Sequence, residues 1–293
     1  MQYKIYSYTL EDRSGRLISP DKQYEIFEHS TGYASGNRLA TYRGKNDAIL
    51  MHVRKYGSDF AGRIGKHATE REVTEYNTHV DEAREVVRAD DDYPHTLFIC
   101  FPRLKTIAIK EGGTPSADSA VSRLHAILIQ RASLTLTCEA LRAPLDLRRA
   151  VERFRVTEVT FEVLPVNPHT GRLGRLLDMG NGRDHVKKLK GKAEATRADP
   201  IQLNNGIVTA IQQLQSSGHA KAGFRGYTDD GVEVIVPKPK ETREFGDIED
   251  ESRRSEEIDV KLFIPETPSF PFQQSHVTAI RTAIRRLTDN SGE

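Results

Sequence analysis

Apolar residues recur at every second position in several short runs of this chain, and at helical spacing in a few longer ones. Tyr3, Ile5, Tyr6 and Tyr8 form a strand-like opening. A polar connection follows, with Ser30, Gly32, Ser35 and Gly36 among its residues. Ala48 to Arg54 predicts an apolar strand, and Phe60 to Lys66 its hairpin partner, with Gly57 helping the turn. Residues 67–95 are mostly polar and include Asp90-Asp91-Asp92. Thr96 to Phe101 and Thr106 to Lys110 predict a second hairpin around Pro102-Arg103.

The helical signal is strongest after Gly112-Gly113. Thr114 can cap, Pro115 suits the first helical position, and Ala117, Val121, Leu124 and Leu128 share one face. Ile127 and Ile129 widen that face, which predicts a well-buried helix. Leu134 to Cys138 alternates as a half-buried strand. Asp146 to Phe154 reads as a short helix, and Val159, Phe161 and Val163 alternate with polar residues as another strand. Pro165 to Pro200 is basic, glycine-rich and free of aromatic residues, with short helices expected around Leu173–Met179 and Asp184–Ala195. Ile207, Val208, Ile211 and Leu214 mark a helix ending near Ser217-Gly218. A hairpin over 219–237 turns at Asp229-Asp230-Gly231. The charged stretch 238–257 reads as a solvent loop. Ile258, Val260, Leu262 and Ile264 then alternate as a strand, and a last helix from about Phe272 to Leu287 buries Val277, Ile280, Ile284 and Leu287.

These elements predict an α+β protein with antiparallel or mixed sheets and several packed helices, in one or two subdomains. The expected divisions are a β-rich N-terminal subdomain over 1–95, a central α+β layer over 96–164, a basic segment over 165–200 and a C-terminal α+β portion over 201–293. The chain is 293 residues long, enough for a proper core. Its longest apolar run, Leu97 to Phe101, falls far short of the ~20 residues that span a bilayer. The first residues lack the apolar stretch of a signal peptide, so a cytoplasmic location is expected. Cys100 and Cys138 sit in apolar strand-like runs, which predicts buried thiols of a reduced compartment and no disulfide framework.

Charge changes the picture more than composition does. The net charge of +1 divides into −2 over residues 1–100, +7 over 101–200 and −4 over 201–293. A basic middle third points to an anionic partner. Lys187, Lys188, Lys190 and Lys192 lie close together, flanked by Arg183 and Arg197 and preceded by Arg172 and Arg175. Ammonium groups so spaced displace condensed counterions from phosphates together. Without aromatic residues in the block, the expected partner is double-stranded DNA, gripped by its backbone with little base readout. Arg148, Arg149, Arg153 and Arg155 form a second cluster, in which Arg149 and Arg153, at i and i+4, would extend that surface. The plainer alternative is a solvated basic helix or loop face for the lysine block, and ordinary pairing with Asp146, Glu152 and Glu158 for the arginine cluster. Arg281, Arg285 and Arg286 read as solvated arginines of the last helix.

Catalytic signals are sparse. The sequence holds no H-E-x-x-H, C-x-x-C, P-loop, G-x-G-x-x-G or G-x-S-x-G pattern, which favours a binding protein without a small-molecule cofactor. The one candidate fragment is Asp259-Val260-Lys261, which puts an acid and a lysine on the same face of a strand. With Mg²⁺ and a further acid such as Asp247 or Asp250, it would serve a metal-dependent nuclease. Asp90-Asp91-Asp92 reads as a polar turn, with no metal expected there. A third reading makes the stretch 238–257, with its acidic run Asp247 to Glu251, the docking loop of a protein-interaction adaptor.

The order of elements also carries a resemblance. An acidic turn and apolar strand, Asp91 to Ile99, leads to a second strand, Lys105 to Ile109. Gly113-Thr114-Pro115-Ser116-Ala117-Asp118 then opens a helix. The strands Leu134–Leu141 and Thr157–Val163 follow, then Asn167-Pro168, then the late hairpin Phe224 to Gly231. This layout, over about residues 90–240, resembles the RexA-like phage-exclusion family. The resemblance implies a cytoplasmic, homodimeric, DNA-binding sensor or accessory component of bacterial anti-phage defence, with a membrane or effector protein partner. It supplies no fixed motif, so the nominated cations rest on charge clustering alone.

Overall fold

The computed structural model describes residues 1–31, 39–67, 71–77, 82–88, 93–141, 147–163, 189–202, 206–216, 220–238, 260–264 and 269–288. The fold is α+β. It divides into two compact units, Gln2–Glu139 and Ala140–Glu293, the second including Met1.

The first unit opens with β1 (Gln2–Glu11) and α1 (Pro20–His29), followed by β2 (Ala40–Tyr42), β3 (Lys45–Tyr56) and β4 (Asp59–Lys66). A separate two-stranded hairpin, β5 (Arg71–Asn77) and β6 (Glu82–Arg88), comes next. Then follow β7 (His95–Phe101), β8 (Thr106–Lys110), α2 (Ala117–Ala132) and β9 (Thr135–Ala140). The main strands lie in the order β1-β8-β7-β4-β3-β2, antiparallel throughout, and β9 also pairs β1. Phe27, Phe60 and Phe98 are fully buried, with the rings of Phe27 and Phe60 4.7 Å apart. Gly62 lies directly against Phe98, where an added Cβ would sit 2.7 Å from the ring.

Helix α1 falls in the expected polar connection. Its apolar face is narrow: only Gln23 and Phe27 are buried, one turn apart, so the sequence shows little periodicity there. β5 and β6 likewise occupy the stretch expected to be merely polar. Helix α2 starts later than expected. Ser116 is its N-cap, its hydroxyl accepting from the Ser119 backbone N–H, so Thr114 and Pro115 precede the helix. Leu124, Ile127 and Leu128 are buried as expected, but Ile129 is 43% exposed, being rotated onto the outer face.

The second unit contains α3 (Leu147–Arg153), β10 (Arg155–Val163), β11 (Leu189–Glu194), α4 (Ile207–Ser216), β12 (Ala220–Tyr227), β13 (Glu233–Val236), β14 (Lys261–Phe263) and α5 (Gln274–Thr288). Its strands run in the order β11-β10-β12-β13-β14, all antiparallel. One sheet face is apolar. Val159, Phe161 and Val163 of β10, Phe224 of β12, Val234 and Val236 of β13 and Leu262 of β14 are all buried. Helices α3 and α4 pack on β10 and β12. Helix α5 buries Val277, Ile280, Ile284 and Leu287 as its spacing predicts.

Of the stretch 96–164, β7, β8, α2 and nearly all of β9 belong to the first unit, α3 and β10 to the second. Within the expected helix 184–195, Leu189–Glu194 is a strand. Gly191 disfavours a helix and lets the Phe161 ring lie against its backbone, where a Cβ would sit 2.2 Å from the ring. The expected helix at 173–179 lies outside the described residues, as do Asp90–Asp92 and 239–259.

Candidate nucleic-acid interface

Strand alternation sends Glu158, Thr160 and Glu162 of β10 to the face opposite the apolar one. Beside them stand Glu194, Lys192 and Lys190 on β11, and Arg225, Gly223 and Lys221 on β12. β13 adds Glu233 and Ile235, and β14 adds Phe263 and Lys261 in register with them. Gly223 is required on this face because a Cβ would meet the backbone of Val236, Pro237 and Lys238, the nearest atom at 2.4 Å.

The two nominated lysines that the structure describes are matched by carboxylates. Lys192 lies 3.1 Å from Glu158 and 2.5 Å from Glu194. Its hydrogen bonds to Glu194 and Glu158 raise its pKa, and the same contact lowers that of Glu194. Lys190 is 4.0 Å from Glu162, to which Lys238 also donates. Arg225 reaches Glu158 at 3.9 Å and Glu233 at 3.4 Å. Most of these opposite-charge pairs cross between strands, Lys192–Glu194 lying within β11, and the exposed ones are each a modest stabilisation. Six cations (Lys190, Lys192, Lys221, Arg225, Lys238, Lys261) share the face with four carboxylates (Glu158, Glu162, Glu194, Glu233). The face is therefore a checkerboard with a small positive excess and not an unopposed basic strip.

The denser positive charge gathers at one end of the sheet, around the turn Thr228–Gly231. Arg153 ends α3, Arg155 begins β10, Arg197 follows β11 and Arg286 lies in the last turn of α5. Nη1 of Arg153 donates to the carbonyl oxygen of Arg286 at 2.9 Å. Nη2 of Arg286 donates to Asp229 at 2.9 Å, and Arg155 reaches the other oxygen of Asp229 at 3.5 Å. The Arg286 hydrogen bond, followed by its charge, holds the Asp229 carboxyl below its ordinary pKa. Arg197 stacks on the Tyr227 ring with its guanidinium carbon 4.3 Å from the centroid. Gly231, at φ +81°, leaves room for that guanidinium: a Cβ there would lie 3.2 Å from Nη2. The Tyr227 hydroxyl in turn donates to Glu233 at 3.1 Å.

Two arginines thus meet Asp229, Arg153 is tied to one of them, and Arg197 lies against Tyr227 and Gly231 beside the same turn. Arg155 is 60% exposed and Arg197 is also exposed, so their donors face solvent. Planar guanidinium groups suit phosphate recognition, because they present paired donors that a lysine lacks.

Of the nominated residues, the structure brings Arg153 and Arg197 together and sets Lys190 and Lys192 apart on β11. Arg149 lies on α3 one turn before Arg153. Arg172, Arg175, Arg183, Lys187, Lys188 and Asp259 lie outside the described residues, while Lys261 sits on β14 opposite Ile235. Tyr227 and Phe263 stand in no pattern that the sequence singles out, while Arg155 and Arg286 each fall in a local arginine cluster; pairing and packing of distant segments place them on one unit's sheet end and face. Among the described residues no three His, Cys, Asp or Glu side chains group as metal ligands, and no helix is long and apolar enough to cross a membrane.

Fold and site together define an α+β protein whose second unit carries an arginine-rich corner at one end of the antiparallel strands β11-β10-β12-β13-β14. Comparison with protein-family models, curated proteins and solved structures finds no match.

Proposed function

We propose that this protein binds double-stranded DNA along its phosphate backbone, with little sequence preference, through the corner formed by Arg153, Arg155, Arg197 and Arg286. The observation that carries this reading is that Arg155 and Arg286 both reach Asp229, Arg153 exchanges hydrogen bonds with Arg286, and Arg197 lies against Tyr227 and Gly231, so four arginines surround a turn with two aspartates. Exposed ion pairs such as Lys192–Glu194 are worth only ~0–1 kcal/mol, and a phosphate can replace the carboxylate. The resemblance to the RexA-like family supplies the proposed setting: a DNA-engaging sensor or accessory component of anti-phage defence, acting as a homodimer with a membrane or effector partner.

Titrating a labelled blunt duplex with the full chain across a salt series tests the proposal. Affinity should fall as salt rises, with a slope set by the number of phosphates contacted. Affinity insensitive to salt, or unchanged when Arg155 and Arg197 are both replaced by alanine, would defeat it.

A further inference from the structure

The open sheet face beside the arginine corner carries two aromatic side chains that the charge pattern does not use. Tyr227 on β12 and Phe263 on β14 both stand in register with Glu233 of β13, so they occupy one row across three strands. Strand spacing of ~4.8 Å places them roughly 10 Å apart. Both are partly exposed. The Tyr227 hydroxyl is held by Glu233, which fixes the ring, and Arg197 covers the ring with its planar guanidinium. A guanidinium seated in this way offers its outer plane as a stacking surface for a base. The next row holds Arg225, Ile235 and Lys261, which places cations immediately beside the aromatic row. Aromatic rings interleaved with cations on an open sheet suit an unpaired strand, whose bases stack while its phosphates lie against the charges. A duplex, with its bases enclosed, cannot use the rings.

We infer that this face takes an unpaired DNA strand continuing from the duplex held at the arginine corner, with one base stacked on Phe263 and another on the Arg197–Tyr227 pair. The inference rests on the DNA reading above and narrows the ligand to duplex DNA bearing a single-stranded extension. Its charge complementarity is modest, since cations exceed carboxylates on the face by two, so stacking must supply most of the preference.

The test compares four labelled ligands by fluorescence anisotropy: a blunt duplex, the same duplex with a thymidine overhang, the overhang strand alone, and the duplex with the overhang made of RNA. Stacking is worth ~1–3 kcal/mol per base, so the overhang should tighten binding by about 5- to 150-fold over the blunt duplex. Phe263→Leu preserves an apolar side chain of similar size and should remove most of that advantage while leaving blunt-duplex affinity unchanged. Phe263→Tyr should retain it. Equal binding of blunt and overhanging duplexes would overturn the inference, as would an advantage that survives Phe263→Leu. Tighter binding of the RNA overhang would overturn the assignment to DNA. Phe263-dependent binding of the single strand, without salt-dependent binding of the blunt duplex, would instead remove the arginine-corner reading and leave the stacking face standing.

Discussion

Arg153 and Arg286 cap each other's helices. Nη1 of Arg153 donates to the carbonyl oxygen of Arg286 at 2.9 Å, and Nη1 of Arg286 donates to the carbonyl oxygen of Arg153 at 3.1 Å. Each helix end leaves carbonyls without intrahelical partners, and a cation there also suits the helix dipole. The exchange ties the ends of α3 and α5 together and divides the labour in the corner. Arg286 is held by structure, whereas Arg155 and Arg197 present their donors to solvent.

That division separates binding from stability. Arg155→Ala should lower the salt slope of duplex binding by about 0.9, one phosphate contact, with the unfolding midpoint unchanged. Arg286→Ala should lower the slope and also cost about 1–3 kcal/mol of stability, because its charged hydrogen bonds hold the end of α3 and the Asp229 turn. Asp229→Asn should tighten duplex binding, since Asp229 competes with phosphate for Arg155 and Arg286. Anisotropy across salt, paired with urea unfolding, checks all three. A weaker Asp229→Asn complex would show that the carboxylate positions the arginines more than it competes.

In the first unit, Arg123 and Asp47 form a two-pronged ion pair at 2.7 and 3.2 Å, with side chains 6% and 11% exposed. The Tyr42 ring lies 4.4 Å from the guanidinium carbon. Asp47→Ala leaves a buried guanidinium without its anion, and should cost about 3–5 kcal/mol. The pair Asp47→Leu with Arg123→Met should cost less than Asp47→Ala alone. Denaturant unfolding of the single and double variants decides the order.

Two glycines of the second unit, one on β11 and one on β12, should respond differently to the same change. At Gly223 a new methyl would meet main-chain atoms of Val236, Pro237 and Lys238, which cannot move without disturbing β13. At Gly191 it would meet the far edge of the Phe161 ring, which can shift. Overpacking typically costs ~1–3 kcal/mol, so Gly223→Ala should fall at or above the top of that range and Gly191→Ala nearer the bottom. Equal losses in urea unfolding would contradict the distinction between backbone and side-chain obstacles.

His276 on α5 stacks on Phe272 at 5.0 Å. Burial, then the nearby amino terminus of Met1, lowers its pKa from 6.5 to about 4. The unfolded chain therefore takes up a proton between pH 6.5 and 4 that the folded chain refuses, so stability should fall as pH drops through that window. Above pH 6.5 the residue is neutral in both states and contributes no pH dependence. His276→Gln should flatten this part of the stability curve. Unfolding midpoints of both proteins at pH 7, 5.5 and 4.5 give the comparison, and parallel curves would place the acid sensitivity elsewhere.

The hairpins β3–β4 and β7–β8, helix α2 and the apolar face of α5 were legible in the sequence because each is written in a single local period. Helix α1 was not, since only Gln23 and Phe27 mark its buried side. β11 was misread as helix because lysines at close spacing suit either conformation, and what selects a strand is Phe161 packing on Gly191 from β10. In the candidate site, charge density singles out Arg153 and Arg197 and marks the clusters that hold Arg155 and Arg286, but Tyr227 stands in no local pattern and the meeting of these residues is not a local property.

By itself the sequence determined the α+β class, most of the strands and the basic bias of the middle third, because hydrophobic periodicity and charge are properties of neighbouring residues. Only the tertiary structure decided which cations are matched and which converge. Pairing β10 with β11 sets Lys190 and Lys192 against glutamates, while the meeting of α3, α5 and the β12–β13 turn gathers four arginines from separate segments. Coulombic attraction depends on distance in space, and residues as far apart in sequence as Arg153 and Arg286 acquire a common field only when the chain folds them together.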